Sequence, residues 1–244
     1  MIAQTRAELL KLRSTRTTVG LVLGMLALII LFALLAGLLT HARSLTTPED
    51  QRGLLGVGSL AGVFSALVGV LLVTGEYRFG TIRPTFLFTP RRSKVIGAKL
   101  VATMLAGLAF GIVGEGLGFA IGYVCLHARG IPIVLHGGAV ALLLLGTVAG
   151  VSLWGGIGVA VAAIVRNQIG TVVGLLAWGF IVENLLFAFV PSVGRLTPGE
   201  AANALSGLTT SHLLPAAAGG AVLVAWVALL TLAGLVLTAR RDVS

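Results

Sequence analysis

The sequence predicts an all-α polytopic membrane protein with six transmembrane helices, and three observations lead to this fold class. Of the 244 residues, 57% are apolar and 10% are charged, whereas a soluble domain carries about 25% charged residues. The mean hydropathy is +1.06. The apolar residues form six runs, each at least as long as the about 20 residues that a membrane-spanning helix needs, and the third and fourth are long enough to tilt or to extend beyond the hydrocarbon. This composition excludes a soluble enzyme, a disordered tail, a nucleic-acid-binding domain and a disulfide scaffold.

We place the six spans in one transmembrane domain, residues 1–244. They lie near 19–39, 53–74, 97–125, 137–165, 169–190 and 217–238. The first run exceeds the h-region of about 7–15 residues in a signal peptide, so it counts as a span. Six spans put both termini on one side, and 13 of the 17 Lys and Arg residues lie on that side. The positive-inside rule therefore predicts cytoplasmic termini.

The segment before the first span interleaves basic and apolar side chains. Its basic residues are Arg6, Lys11, Arg13 and Arg16, and its leucines are Leu9, Leu10 and Leu12. This pattern predicts an amphipathic helix that lies in the cytoplasmic interface. The alternative is a plain basic flank that only orients the first span.

The cytoplasmic loop after the second span, residues 75–94, mixes charge with aromatic rings. Pro84 can open a helix but not continue one, so we expect one or two short helices that break near 80–84. An exposed aromatic and basic surface suggests a partner protein, while the alternative is simple anchoring of the rings in the lipid interface. The candidate contact residues are Glu76, Tyr77, Arg78, Arg83, Pro84, Phe86, Phe88, Arg91 and Arg92.

The outer segment between the fifth and sixth spans contains Thr197-Pro198-Gly199-Glu200. This is the pattern of a capping box, in which Thr197 accepts the Glu200 amide and Glu200 reaches back to Thr197. Proline suits the first helical position. We expect a short helix from Pro198 to about Ser206 that dips into the outer leaflet.

Two acids lie inside spans, Glu115 in the third and Glu183 in the fifth. A charge at the bilayer centre costs about 2.5–3.5 kcal/mol on insertion scales, so both should face protein. Glu115 continues the Gly107–Gly111 ridge beside the ridge of Gly114, Gly118 and Gly122, which predicts a helix–helix seam. A protonated, hydrogen-bonded acid and a substrate or proton site remain open for it. The candidates for a path or gate are Glu115, Glu183, Asn184, Thr197 and Glu200.

Motifs for catalysis are missing from the sequence. It contains no G-x-x-x-x-G-K-[ST] loop for nucleotide phosphates and no H-E-x-x-H metal motif. We therefore expect no catalytic residue, no metal site and no cofactor bound by this chain.

Several stretches resemble ABC-2 type exporter permeases of the six-span kind. They are Glu8–Thr18 before the first span, Glu76–Thr85 with Thr89–Arg92 in the loop, and Glu183–Leu186 with the outer helix that follows. The loop is the most specific part. Phe79 departs from the pattern, because polar residues are common there in the family.

The resemblance implies the non-catalytic membrane subunit of an ABC exporter in the bacterial cytoplasmic (inner) membrane. The loop would form a coupling helix that docks on a separate ATPase subunit, which would carry ATP and Mg. The N-terminal helix would lie beside it on the inner leaflet. A second permease half, identical or paralogous, would complete the translocation path.

The implied substrate is an amphiphilic compound, such as a drug, a peptide or a lipid, and nucleic acid is not an expected partner. Two other functions remain open. One is a small proton-coupled secondary transporter that uses Glu115 or Glu183. The other is an intramembrane enzyme, which the missing catalytic pairs oppose.

Overall fold

The computed structural model describes residues 2–81, 92–208 and 212–240, and the regular structure in these ranges is helical, without a strand. The helices are α1 (Ile2–Ser14), α2 (Arg16–Leu39), α3 (Pro48–Leu55), α4 (Ala61–Arg78), α5 (Arg92–Ala128), α6 (Gly137–Val165), α7 (Gln168–Ala177), α8 (Glu183–Phe189), α9 (Pro191–Gly194), α10 (Pro198–Leu205) and α11 (Ala216–Arg240). Two 3₁₀ turns, Ser44–Thr46 and Val57–Leu60, flank α3. A π-helical turn, Trp178–Val182, joins α7 to α8.

Among the described residues, six helical stretches are long and apolar enough to cross a membrane, which confirms the all-helical class and the predicted number. They are Arg16–Leu39, Val57–Arg78, Arg92–Ala128, Gly137–Val165, Gln168–Phe189 and Ala216–Thr238. The third is the longest at 37 residues. At about 1.5 Å per residue this helix extends beyond a hydrocarbon core of about 30 Å.

The second span begins at Val57 instead of 53, because α3 is a separate helix. Thr47 accepts the Asp50 amide at 3.2 Å, and Pro48 occupies the first turn. The buried Gln51 then fixes α3 to the α5–α6 connection. Its Nε2 donates to the Pro132 carbonyl at 2.8 Å, and its Oε1 accepts the Val134 amide at 2.9 Å.

The centre of the bundle is α6, which packs mainly on α4, α5 and α11. Gly158 lets α6 lie directly against the backbone of Ala66 in α4, where a side chain at 158 would collide. The predicted glycine ridges of α5 are packing surfaces: Gly107 faces Ser152 of α6, and Gly118 faces Gly58. Small residues at these seams permit close helix approach in lipid. The spans α2, α7–α8 and α11 are the least buried.

The two ends of the bundle differ in charge. At one end, here called the basic end, Arg92 donates to the Thr238 carbonyl at 2.6 Å and Arg166 to the Leu237 carbonyl at 3.3 Å. These cations satisfy terminal carbonyls of α11, where positive charge is favourable. The opposite end contains α3, α10 and Arg129, which donates to the Gly37 carbonyl at 2.6 Å.

Candidate functional site

Four charged side chains from three helices meet at the basic end. We call them the ion cluster, which comprises Glu8 and Lys11 of α1, Glu76 of α4 and Lys99 of α5. Lys99 is 1% exposed. Its Nζ donates to Glu8 Oε2 at 3.0 Å, to Glu76 Oε1 at 2.8 Å and to the Leu72 carbonyl at 3.1 Å. All three ammonium protons therefore have acceptors, as a buried lysine requires.

Lys11 closes the ion cluster from the solvent side. Its Nζ lies 2.8 Å from Glu76 Oε1 and 3.2 Å from Glu8 Oε1. Burial lowers the pKa of Lys11, but its hydrogen bond to Glu76 and the charges of Glu76 and Glu8 outweigh this, so its pKa is raised above 10.5. Two cations and two carboxylates cancel formally, which limits the cost of burying them.

The ion cluster determines how α1 attaches to the bundle. The buried side chains of α1 are Glu8 and Leu12. Leu12 packs with Val68 and Leu72 of α4, while Leu10 is 65% exposed. The contact face of α1 is thus part ionic and part apolar.

The predicted contact residues of the loop divide into two groups. Glu76, Tyr77 and Arg78 belong to α4, which continues as a helix through Arg78. Glu76 is buried in the ion cluster, and the Arg166 guanidinium lies over the Tyr77 ring at 5.5 Å. Arg78 is exposed, and Arg92 begins α5. The expected short helices and the residues Arg83, Pro84, Phe86, Phe88 and Arg91 lie outside the described residues.

The sequence reasoning missed Glu8, Lys11 and Lys99 as members of a site. One signal was available for Lys99. It is the one charged residue in the run Val95–Ala102, whose other residues are apolar or small. A lone cation in such a run needs a carboxylate partner from another helix. Which carboxylates supply it depends on the packing of α1 and α4 against α5.

At the opposite end, Glu183 holds the start of α10. Its Oε2 accepts the Gly199 amide at 2.7 Å, and its Oε1 accepts the Trp178 indole N–H at 2.7 Å. The side chain is 3% exposed. The π-helical turn places Trp178 five residues before Glu183 on the same side of the helix. A carboxylate at a helix N-terminus also faces the positive end of the helix dipole.

The predicted helix from Pro198 is confirmed as α10, but the capping box is wrong. Thr197 makes no cap bond and instead donates to the Gly194 carbonyl at 2.8 Å. Glu200 accepts from Asn203 at 3.2 Å. A residue of another helix, Glu183, supplies the acceptor at the Gly199 amide instead.

The apolar residues of α10 pack against protein, and the predicted dip of this helix into the outer leaflet stays a prediction. Ala201 and Ala204 are buried, and both lie against Gly219 of α11. On another side, Gly146 of α6 contacts the backbone at Leu205. The helix α10 is therefore wedged between two spans, within the bundle.

A cleft of about 250 Å³, here called the outer cleft, opens between α4, α6, α8 and α10. Three predicted path residues line it: Glu183, Asn184 and Glu200. Asn184 donates to the Phe180 carbonyl at 3.2 Å. The lining also contains Trp154 and Thr147, whose Oγ1 has no hydrogen-bond partner among the described residues. Thr197 and Glu115 are not part of this lining.

Glu115 lies at the predicted seam, 1% exposed and against Gly58. Neither of its carboxyl oxygens has a hydrogen-bond partner within the described ranges. The seam is thus confirmed, whereas the hydrogen bond expected across it is absent from the part of the chain that the structure describes. A buried carboxyl without a hydrogen-bond partner is costly at this position.

Two kinds of chemistry are therefore available: rigid ionic attachment at the basic end, and mixed polar and apolar contacts in the outer cleft. Within residues 2–81, 92–208 and 212–240, no three His, Cys, Asp or Glu side chains are grouped so that they could hold a metal ion.

No protein-family model matches the sequence, and no curated protein is significantly similar to it.

Proposed function

We propose that this chain is the membrane subunit of an ABC exporter, of the ABC-2 permease type, and that it moves an amphiphilic compound outward. The observation that carries the proposal is the ion cluster, which joins α1 to both helices that flank the segment 79–91. Glu76 lies in the last turn of α4, just before that segment. Lys99 lies about two helical turns after the start of α5, which follows the segment.

The mechanical argument follows from this arrangement. A partner ATPase docked on the segment 79–91 would push or pull on the ends of α4 and α5. The Lys99–Glu76 bond at 2.8 Å makes those two ends move together, and Glu8 adds α1 to the same unit. Both α4 and α5 pack on α6, so displacement at the basic end would reach the rest of the bundle.

The lining of the outer cleft favours an amphiphilic compound as the transported substrate. Its wall combines apolar side chains such as Val63, Val151 and Phe180 with polar Ser59 and Asn203. Clefts of this mixed character suit ligands with both apolar and hydrogen-bonding parts. The helix α10, which is capped by Glu183, borders the cleft and would act as its outer gate.

A second candidate function is proton-coupled transport, and Glu115 favours it. Its unpartnered, buried carboxyl is the kind of group that carries protons in transporters. This alternative gives the ion cluster no role beyond attachment of α1. Transport driven by a pH gradient without ATP, and abolished by Glu115→Gln, would support it.

The composition of the native complex tests the proposal. The tagged chain is purified in mild detergent from the membranes of its own organism, and its partners are identified by mass spectrometry. We expect a polypeptide with a P-loop ATPase signature in stoichiometric amount, together with a second permease half. A complex without any ATPase, stable and active in transport, would reject the proposal.

A further inference from the structure

A second cavity, of about 560 Å³, lies at the basic end between α1–α2 and α4. We call it the α1–α4 cavity. Its deeper wall is apolar and consists of Leu21, Val68, Leu71 and Leu72. Val68 stands ten residues before Arg78 on α4, so the apolar wall extends about 15 Å into the bundle from the basic end. Cavities of this volume hold ligands of several hundred daltons.

The mouth of the α1–α4 cavity is polar and carries a net positive charge. Lys11 and Arg78 line it together with Thr17 and Thr18, which lie in the first turn of the 24-residue helix α2. Arg78 is exposed, and its guanidinium makes a long contact of 3.3 Å to Gln168. The amide groups that begin a helix also favour an anion.

Glu76 is the acidic member of the lining and belongs to the ion cluster. Its side chain is 9% exposed, and Oε1 accepts from both Lys11 and Lys99. Oε2 is buried, so Glu76 offers no free acceptor to a ligand in the cavity.

We propose that the α1–α4 cavity binds an anionic phospholipid, such as phosphatidylglycerol, from the leaflet at the basic end. The phosphate lies between Lys11, Arg78 and the start of α2. The first methylenes of an acyl chain lie on Leu21, Val68 and Leu72, and the remainder of the chain extends into the bilayer.

Because the lining is polar at the mouth and apolar in the deeper wall, it favours a lipid over a free anion. Inorganic phosphate would contact only the mouth and would leave the apolar wall exposed to water. Phosphatidylcholine fills the same space, but it has no net charge. These two molecules are therefore the informative comparisons. The inference does not depend on the proposed export function.

The first test uses the full chain, delipidated in detergent and offered defined lipids. Retained lipid is measured by native mass spectrometry for phosphatidylglycerol and phosphatidylcholine in equal amounts. The wild-type chain should retain phosphatidylglycerol preferentially, and Arg78→Gln should weaken that retention about fivefold, the usual factor for one basic residue at an anionic lipid. Excess inorganic phosphate should not displace the bound lipid.

A space-filling variant supplies an independent test. Gly75 lines the cavity, and a side chain added there meets no atom within 4 Å. Gly75→Leu should fill the cavity and abolish the lipid preference. The matched control is Gly20→Leu on α2, because position 20 is equally open but lies outside the lining. It should retain phosphatidylglycerol like the wild type.

Three results would overturn the proposal. They are equal retention of both lipids by the wild-type chain, unchanged retention in both Gly75→Leu and Arg78→Gln, and displacement by inorganic phosphate, which would indicate a simple anion site. A monodisperse elution profile for each variant confirms that it folds. If Gly75→Leu does not fold, the result for the exposed Arg78 decides.

Discussion

Glu183 and Gly199 are joined by a hydrogen bond of 2.7 Å across 16 residues of sequence, from the Gly199 amide to Glu183 Oε2. This bond begins α10 from a neighbouring helix. It leaves no room at position 199, because a Cβ there would collide with the same carboxylate. The helix α10 and the fifth span are therefore linked by this side-chain cap.

The first prediction concerns this cap. Glu183 uses both oxygens as acceptors, so Glu183→Gln must turn an NH₂ group toward one of two donors. We expect the start of α10 to fray, with a loss of about 0.5–2 kcal/mol, the usual range for a helix N-cap. Hydrogen exchange at the Gly199 amide measures it.

Thr197→Val is the comparison, since Thr197 does not cap α10 but reaches the Glu183 side chain. Its exchange at Gly199 should rise less than that of Glu183→Gln. Faster exchange in Thr197→Val than in Glu183→Gln would restore the capping box and contradict the assignment.

The second prediction concerns the ion cluster. Lys99→Met leaves Glu8 and Glu76 buried with Lys11 as their shared cation. Removal of one member of a buried ion pair costs about 3–5 kcal/mol, so the unfolding midpoint in detergent should fall clearly. Lys94→Met on the same helix is exposed and should change stability little. Equal midpoints for the two variants would show that the ion cluster contributes nothing to stability.

A third prediction uses non-additivity. The double variant Glu8→Gln, Lys99→Met removes one carboxylate and one cation together. Lys11 still pairs with Glu76 in this variant. The double variant should lose less free energy of unfolding than the two single variants lose together, because the residues share one network. Simple additivity in denaturant unfolding would mean that Glu8 and Lys99 act separately.

The fourth prediction concerns Glu115, whose oxygens have no hydrogen bond to lose among the described residues. Glu115→Met replaces a buried acid by an apolar side chain of similar length. We expect equal or higher thermal stability, since an unpaired buried polar group is a cost. A marked loss of stability would reveal a partner for the carboxyl that the described contacts do not contain.

The fold follows from the sequence to the extent that length and apolarity decide it. The six spans and the Gly118 seam were predictable because each depends on a local pattern. The start of the separate helix α3 was also signalled, since Thr47 and Pro48 repeat the Thr-Pro pattern of Thr197 and Pro198. Only the second of these patterns was interpreted as a helix start.

The site was less predictable because its contacts join distant segments. Lys99 and Glu8 lie 91 residues apart, and their pairing depends on how α1 lies against α5. The cap of α10 shows the same limit. Thr197 had the right spacing, but Glu183 reaches the Gly199 amide through the packing of α8, which no local pattern contains.

The most direct measurement of the central claim, coupling to an ATPase through the segment 79–91, is ATP hydrolysis by the purified complex. The variant Arg83→Glu, Phe86→Ala alters that segment, and Arg43→Glu is a charge-reversal control in an exposed position before α3. We predict that the double variant inserts normally but loses both the co-purified ATPase and its stimulation, while Arg43→Glu keeps both. Unchanged co-purification and stimulation in the double variant would contradict the account.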